Sequence, residues 1–287
     1  MSVTKENILK LSSVEKAIDL DPHNKRIKVY QIPSEELFFP LKQELEKIAQ
    51  ANQCEKIIFY CREDELDPLE QLSNCDHEGK INGFFQGDDA YIYSLFLSPE
   101  RNKPIAKEEE ERVMQIVEND QKWIKEIVLP EEFTMRSANI EDAPHMAELY
   151  DAVFETYPTP MNDAEYIAEM MESDVYFTIV EHQDTLVSAC SADLFPAYNS
   201  AEMTDCATLP EYRGKGLLSH QFRHLEQKMR ELGVQTLFSY TRALSVGMNL
   251  INARHGYEYT GRMLQNSNIS GKLEDMNIWV KTLANEH

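Results

Sequence analysis

The chain has 287 residues, enough for one large domain or two ordinary ones, and its 42% hydrophobic content excludes wholesale disorder. Its net charge of −22 argues against a nucleic-acid ligand, because the phosphate backbone would be repelled. The sequence lacks a long apolar run or an apolar leader, and its five cysteines form no CxxC pair. We therefore expect a cytoplasmic protein with reduced thiols and no membrane partner.

Residues 1–130 are predicted to form a small α/β domain that ends in a linker helix. Ser34 is expected to cap the first helix, which Pro40 should kink or restart. Gly87 lies between two strand-like runs and indicates a hairpin. The charged segment before Pro130 marks the domain boundary. Strands are predicted at 26–33, 56–61, 80–86 and 90–97, and helices at 35–50 and 105–127.

Residues 131–287 predict a second domain with the element order β-α-α-β-β-β-α-β-α-β-β, a mixed α/β sheet flanked by helices. A helix is expected to be capped near Asp142. The remaining predicted strands lie at 175–182, 185–195, 201–209, 236–241, 259–266 and 276–283.

Two segments of the chain echo each other. Residues 56–85 and 235–264 each contain a strand, a helix and a short segment with the letters EGK or TGR. Either the N-terminal domain is a degenerate partial copy of the C-terminal fold, or two unrelated α/β segments look alike. The sequence alone leaves both interpretations open.

A glycine-rich segment between a strand and an amphipathic helix predicts the cofactor site. Arg213-Gly214-Lys215-Gly216 precedes a helix that ends before Gly233, and residues 211–230 carry five basic and two acidic side chains. Glycines and bare N–H groups at a helix N-terminus suit a pyrophosphate. The segment is neither a P-loop nor a Rossmann fingerprint. His220 and His224, four apart on this helix, are interpreted as solvent-facing, and no metal is expected.

The R-x-x-G-x-G/A pattern after a strand and Pro-Glu-Tyr resembles the acetyl-CoA loop of the GCN5-related N-acetyltransferase (GNAT) superfamily, whose element order also fits. Leu218 departs from the pattern, since the family has Gly or Ala there. The flanking runs YPTPMND, AEMTDCATLPEYRGKGLL, TRALSVGMN, HGYEYTGRMLQNSNISG and LEDMNIWVK narrow the resemblance to the β-lysine N-acetyltransferase family. It is strong over 133–283 and weaker before that.

The resemblance implies a GNAT fold with a centrally splayed sheet, and transfer of an acetyl group from acetyl-CoA to the side-chain amine of β-lysine. The product would be Nε-acetyl-β-lysine, a compatible solute used in osmoadaptation. The implied partner is thus a small-molecule amine, and a homo-oligomer is compatible with the sequence. The implied cofactor contacts are Ala207, Thr208, Leu209, Arg213, Gly214, Lys215, Gly216, Leu217, Leu218 and Asn249.

A general base is needed because an ammonium with a pKa of roughly 10.4 must lose a proton before it attacks. Glu202 is the first candidate and Asp205 the second. On a regular strand they point to opposite faces, so only a bulge would let both reach one cleft. The superfamily's usual tyrosine acid is replaced by Asn252. Tyr240 and Tyr257 are alternatives, as are departure of an unprotonated thiolate and supply of the proton by a water.

Substrate contacts are predicted at the ends of the last strands. Arg242 is the candidate clamp for a carboxylate, because its planar fork suits bidentate recognition. Asp205, Glu274 or Asp275 could hold an ammonium. The other predicted contacts are Tyr157, Ser245 and Asn249.

Two kinds of alternative function stay open at this stage. The acceptor could be another small amine or a protein lysine or N-terminus, which would need an open groove rather than a closed pocket. Alternatively, the chain could be a catalytically silent acyl-CoA-binding module, an interpretation that the missing tyrosine favours.

Overall fold

The computed structural model describes residues 17–32, 35–120, 122, 124 and 128–283. The strands within these ranges are β1 (Ile18–Asp21), β2 (Arg26–Val29), β3 (Lys56–Cys61), β4 (Cys75–Phe85), β5 (Asp88–Phe96), β6 (Phe133–Ser137), β7 (Val175–His182), β8 (Thr185–Phe195), β9 (Ser200–Thr208), β10 (Thr236–Arg242), β11 (Glu258–Ile269) and β12 (Lys272–Thr282). The helices are α1 (Glu35–Ala51), α2 (Asp67–Glu70), α3 (Lys107–Glu118), α4 (Ala143–Val153), α5 (Ala164–Glu172), α6 (Leu217–Glu231) and α7 (Val246–Arg254).

Most predicted elements are present, although β4 and β12 begin five and four residues before their predicted starts. Three other differences follow. The helix α1 runs through Pro40 without a break, so the expected restart was wrong. The linker helix α3 ends at Glu118, well before the predicted end at 127. Strand β1 was not predicted from the sequence. The Ser34 cap falls outside the described residues.

One twelve-stranded sheet contains every described strand, in the order β1-β2-β3-β5-β4-β11-β12-β10-β9-β8-β7-β6. The predicted domains therefore share a sheet, and they meet where β4 pairs antiparallel with β11 at Gly79 and Gly261. A Cβ on Gly261 would lie 2.2 Å from the carbonyl oxygen of Glu78. Only glycine allows the backbones to approach this closely.

The strand order is repeated in the two halves. The series β1-β2-β3-β5-β4 and the series β8-β9-β10-β12-β11 have the same order, and the same neighbours are parallel or antiparallel. A helix joins the parallel pair in each series: α1 joins β2 to β3, and α6 joins β9 to β10. The sequence echo thus corresponds to a repeated topology.

Contacts across the join are also repeated at equivalent positions. Side chains at the start of the central strands donate to carbonyl oxygens of the other half: Lys56 Nζ to Leu264 at 2.8 Å, Thr236 Oγ1 to Asn82 at 3.1 Å, Arg26 Nη1 to Asn266 at 2.8 Å, and Ser200 Oγ to Phe84 at 2.8 Å. Each half therefore holds the backbone of the other with the same pair of strands.

An aromatic core lies between the halves. Tyr30, Tyr60 and Phe84 of the N-terminal half pack with Phe195 and Phe238 of the C-terminal half. Separate apolar cores lie under α1 and under α6. The described part of the chain has no helix that is both long and apolar enough to cross a membrane.

Candidate active site

The candidate site begins where β9 and β10 separate. The two strands pair in parallel only from Thr236 to Phe238, opposite Ser200 to Glu202. Beyond Phe238 they diverge, as predicted for a splayed sheet, and a cleft of about 520 Å³ opens between them. Met203–Cys206 line one side of this cleft and Ser239–Arg242 the other. Backbone groups freed by the splay can bond a ligand that lies in the gap.

The glycine segment forms one end of the cleft and fits a pyrophosphate. Gly214 and Gly216 have φ of +77° and +79°, and a Cβ on either would meet no atom within 4 Å. Gly216 is the N-cap of α6 and provides no side chain for the first-turn N–H groups. These donors and the helix dipole therefore remain available to an anionic ligand.

The other predicted cofactor residues divide into two groups. Besides the two glycines, the cleft is lined by Thr208, Arg213, Leu217 and Leu218. Ala207, Leu209, Lys215 and Asn249 lie outside its lining. The ammonium of Lys215 lies over the rings of Phe133 and Tyr212, at 5.6 and 5.5 Å from their centroids. Leu218 departs from the family pattern and still forms part of the wall.

A β-bulge turns Asp205 onto the face that carries Glu202. Between the pairs Ala189–Ala207 and Ser191–Thr204, one residue of β8 faces two residues of β9, and Asp205 has φ of +50°. Ser191 Oγ donates to Asp205 Oδ2 at 2.7 Å. The bulge thus overrides the regular alternation and brings both candidate bases to one face.

Three carboxylates share this face. Asp193 is the register partner of Glu202 on the neighbouring strand, so their side chains lie side by side. Burial raises the pKa of Glu202 to about 7, the charges of Asp193 and Asp205 act in the same direction, and Lys28 opposes them. Burial raises the pKa of Asp205 to about 6, against hydrogen bonds from Ser191 and Tyr157. Both groups can exchange protons near neutral pH.

The two candidate bases differ in position. Asp205 is part of the cleft wall, whereas Glu202 lies outside the cleft lining, at the last position where β9 pairs with β10. Glu202 is close to the aromatic core between the halves, since its charge acts on Tyr30 and Tyr60 of the N-terminal half and on Tyr240 of the C-terminal half. A proton could travel between Glu202 and the cleft only through an intermediate group or water.

Arg242 and Glu274 bind each other. The guanidinium of Arg242 donates to the two carboxylate oxygens of Glu274 at 2.7 and 2.6 Å, and Arg242 lines the cleft. The candidate carboxylate clamp and a candidate ammonium partner are thus a bidentate pair. Glu274 occupies one edge of the guanidinium, and Arg242 is 40% exposed, so a substrate carboxylate could still bind the Nη1 side.

Several predicted contacts are used within the fold. Asn249 is fully buried, its amide donates to two carbonyl groups, and its oxygen accepts from Asn277 and Trp279. Asp275 accepts from the backbone of Ile105 and Gln265. Both side chains hold strands and helices together, and the geometry does not favour their predicted ligand contacts. Ser245 caps α7 and lines the cleft.

The tyrosines differ in whether they line the cleft. Tyr157 and Tyr240 line the cleft. Tyr257 packs in the core beneath α6, and Asn252 is buried beside Thr241, so neither reaches the cleft wall. The Tyr240 hydroxyl lies 2.6 Å from that of Tyr60. Burial raises the pKa of Tyr240 well above its usual value, and the hydroxyl therefore keeps its proton at neutral pH.

The histidines of α6 need a correction. His220 was expected to face solvent but is 8% exposed, because it packs toward the segment at Val128. His224 lies 3.1 Å from Ser137 Oγ. Across the described ranges, no group of three His, Cys, Asp or Glu side chains is arranged to hold a metal ion.

Sequence reasoning missed Asp193, Lys28 and Tyr60 as parts of this region. Asp193 could have been found, because the alternation of β8 puts it on the face of Ser191. Lys28 and Tyr60 come from the other half of the chain, and the echo between residues 56–85 and 235–264 did not single them out.

Comparison with known proteins agrees with this geometry. Residues 143–257 match the model of the GNAT acetyltransferase family. The chain is 36% identical to N-acetyltransferase YodP of Bacillus subtilis, over 96% of this chain and 98% of that protein. It is 34% identical to a β-lysine N6-acetyltransferase of Methanosarcina mazei, over 83% of this chain and 95% of that protein. The solved structure of the acetyltransferase YncA of Salmonella typhimurium with its cofactor acetyl-CoA is 17% identical, covers 55% of this chain and 96% of that one, and has a TM-score of 0.47.

The match to the GNAT family model and the similarity to the two N-acetyltransferases define an acetyl-transferring enzyme of the GNAT type, a class that uses acetyl-CoA. Within that class, the chain belongs to the family of N-acetyltransferases that includes the β-lysine N6-acetyltransferases.

Proposed function

We propose that the protein transfers an acetyl group from acetyl-CoA to the side-chain amine of β-lysine, giving Nε-acetyl-β-lysine, a compatible solute. The observation that carries this proposal is the face bearing Asp193, Glu202 and Asp205 beside the splay. Anionic groups there attract a cationic amine, and two of them have pKa values near neutrality. The names of two relatives support β-lysine as the acceptor. A cytoplasmic location and a homo-oligomer stay predictions.

The glycine segment would hold the cofactor. Backbone N–H groups of Gly214, Gly216 and Leu217 are available to a pyrophosphate at the start of α6, and Arg213 adds positive charge. The strand residues Met203–Cys206 offer backbone groups in the gap between β9 and β10. When bound, acetyl-CoA supplies the activated thioester.

Glu202 is the proposed general base. The acceptor ammonium has a pKa of roughly 10.4, and a base with a pKa near the working pH removes its proton most effectively. Glu202 has a pKa of about 7 and lies behind the cleft wall, so we propose that it acts through a bridging water. Asp205, on the wall, would hold the amine in place.

Tyr240 is the proposed proton donor. Its hydroxyl is protonated at neutral pH and its ring lines the cleft beside the diverging strands. Tyr257 does not line the cleft, because it lies in the core beneath α6. Tyr240 would thus serve in place of the tyrosine that Asn252 replaces.

The test is to mix the enzyme with acetyl-CoA and β-lysine, lysine, simple diamines or a lysine-containing peptide, and to measure release of CoA. We expect β-lysine to give the highest kcat/KM. Preference for the peptide would indicate a protein acceptor. CoA binding without release with any amine would leave only the silent binding module.

Substitution of the carboxylates assigns the base. Glu202→Gln should lower kcat about 100- to 10,000-fold with little change in the KM for acetyl-CoA. In the parent, kcat/KM should fall as the pH drops through about 7, because Glu202 becomes protonated. If Asp205→Asn abolished this fall of kcat/KM at low pH while Glu202→Gln retained it, Asp205 would be the general base and Glu202 the group that holds the amine.

A further inference from the structure

The face of β2 that looks toward the active half carries a cation. Strand alternation puts Ile27 and Val29 into the N-terminal half's own core, so Lys28 lies on the opposite face. Tyr30, two residues further along, packs in the aromatic core between the halves. Lys28 therefore lies on the face of the sheet that meets the C-terminal half.

Contacts between the halves bring this face close to Glu202. Tyr60 on β3 and Tyr240 on β10 share a hydroxyl–hydroxyl hydrogen bond of 2.6 Å. Lys28 pairs with Ile58, two residues before Tyr60, and Glu202 pairs with Phe238, two residues before Tyr240. Lys28 and Glu202 thus hold equivalent positions beside one contact. Lys28 is also the cation with the largest effect on the pKa of Glu202.

Three cations lie near this region, and each already binds a carboxylate. The Nζ of Lys28 has an ion pair with Asp19 at 3.2 Å, and an ammonium has three donor positions. Arg26 is already bound to Asp21, to the carbonyl oxygen of Asn266 and to Ser267. Arg242, on the cleft wall, has a bidentate pair with Glu274.

The surrounding negative charge favours a cation beside the carboxylate of an amino-acid acceptor. Asp193, Glu202 and Asp205 attract an amine but repel a carboxylate, and Asp19 adds a fourth anionic group at the edge. A carboxylate brought into this region without a counter-ion would lose binding free energy to repulsion and desolvation. The adjacent opposite charges of Lys28 and Asp19 match the adjacent carboxylate and ammonium of a β-amino acid.

We propose that Lys28 of the N-terminal half binds the carboxylate of the acceptor, with Asp19 beside it for the non-reacting ammonium. The N-terminal half thus completes the acceptor site and selects amino acids over simple amines. This inference rests on the proposed function and extends it to a residue outside the GNAT-matched segment.

The test compares two acceptors that differ only in the carboxylate: β-lysine and the diamine that remains when β-lysine loses its carboxyl group. Lys28→Gln should raise the KM for β-lysine roughly 10- to 100-fold, the range expected for loss of a charge-assisted hydrogen bond. The KM for the diamine should stay within about twofold or fall. Lys28→Arg should recover most of the affinity for β-lysine, because it restores the charge.

Lys25→Gln is the matched control. Lys25 is also a lysine of the N-terminal half paired with a carboxylate, Glu55 at 3.5 Å, but it lies on the exposed edge. Lys25→Gln should leave the KM for both acceptors unchanged. Turnover of the diamine by Lys28→Gln serves as the check that this variant is folded.

Three outcomes would overturn the inference. Equal changes for both acceptors would mean that Lys28 only tunes Glu202. A large rise in KM for β-lysine in Arg242→Ala, with none in Lys28→Gln, would assign the carboxylate to the cleft arginine. Wild-type enzyme that fails to acetylate β-lysine would contradict the proposed function itself, and the inference with it.

Discussion

The two halves of the sheet have the same strand order, yet they carry opposite charges at the same place. In the C-terminal half, Asp193 on β8 lies beside Glu202 on β9. At the equivalent position of the N-terminal half, Asp19 on β1 lies beside Lys28 on β2. The first pair repels, and this repulsion adds to burial in raising the pKa of Glu202 to about 7. The second pair attracts and forms an ion pair.

The halves differ also in their backbone. The β1–β2 pairing is in regular register, whereas β8–β9 contains the bulge at Asp205. The segment 30–36 after β2 contains no glycine, whereas Gly214 and Gly216 precede α6. A bulge and a glycine-lined helix N-terminus are the two backbone features that a cofactor and a base require. Only the C-terminal half has both, and the N-terminal half offers a complementary charge instead.

A substitution at the β4–β11 join should disrupt the contact between the two halves most strongly. Gly261→Ala should destabilise the protein by about 3 kcal/mol, since its Cβ would overlap the carbonyl oxygen of Glu78 and the Cα of Gly79. Urea unfolding measures the change. Gly247→Ala, in α7 with no atom within 4 Å of the added carbon, is the control and should change stability by less than about 1 kcal/mol. Equal stability of Gly261→Ala and the parent would contradict the close packing at the join.

Two tyrosines allow a direct comparison of the halves, because Tyr60 and Tyr240 occupy equivalent positions and share one hydrogen bond. Tyr60→Phe and Tyr240→Phe should cost a similar free energy of unfolding, about 1 kcal/mol each. Tyr240→Phe should in addition lower kcat about 100-fold, since it removes the proposed proton donor. Tyr60→Phe should lower kcat less than about threefold. Equal losses of kcat would exclude an acid role specific to Tyr240.

The stability cost of Glu202 depends on pH. Its pKa rises from 4.5 to about 7 on folding, so the folded state binds a proton that the unfolded state releases between these values. This contribution is complete below pH 4.5 and is lost as the pH rises through about 7. Glu202→Gln should therefore be more stable than the parent above pH 7, by up to about 3 kcal/mol, and the gap should close in acid. A constant gap at all pH values would show that Glu202 does not titrate as described.

Much of the secondary structure could be predicted because its signals are local. The buried run 56–61 and the alternating runs 175–182 and 185–195 are strands with the predicted bounds. The amphipathic period of α6 and the glycines before it also predicted the helix and the open N-terminus where we propose that the cofactor binds. In each case neighbouring residues determine the outcome through side-chain spacing and backbone freedom.

The parts of the site that were missed depend on distant residues. A bulge at Asp205 needs an unequal count of residues on β8 and β9, which is a property of their pairing. The pairing of Arg242 with Glu274 joins two strands across 32 positions. Lys28 and Tyr60 reach Glu202 and Tyr240 only because the halves share one sheet and pack face to face.

The sequence by itself determined the order of the elements, the glycine segment before α6 and the family to which the chain belongs. These follow from residue types and spacings over short stretches. The tertiary structure decided which charged groups act together, because pKa values and ion pairs depend on separations of a few ångströms in a buried region. Those separations are set by strand register, by the bulge and by the join at Gly79 and Gly261.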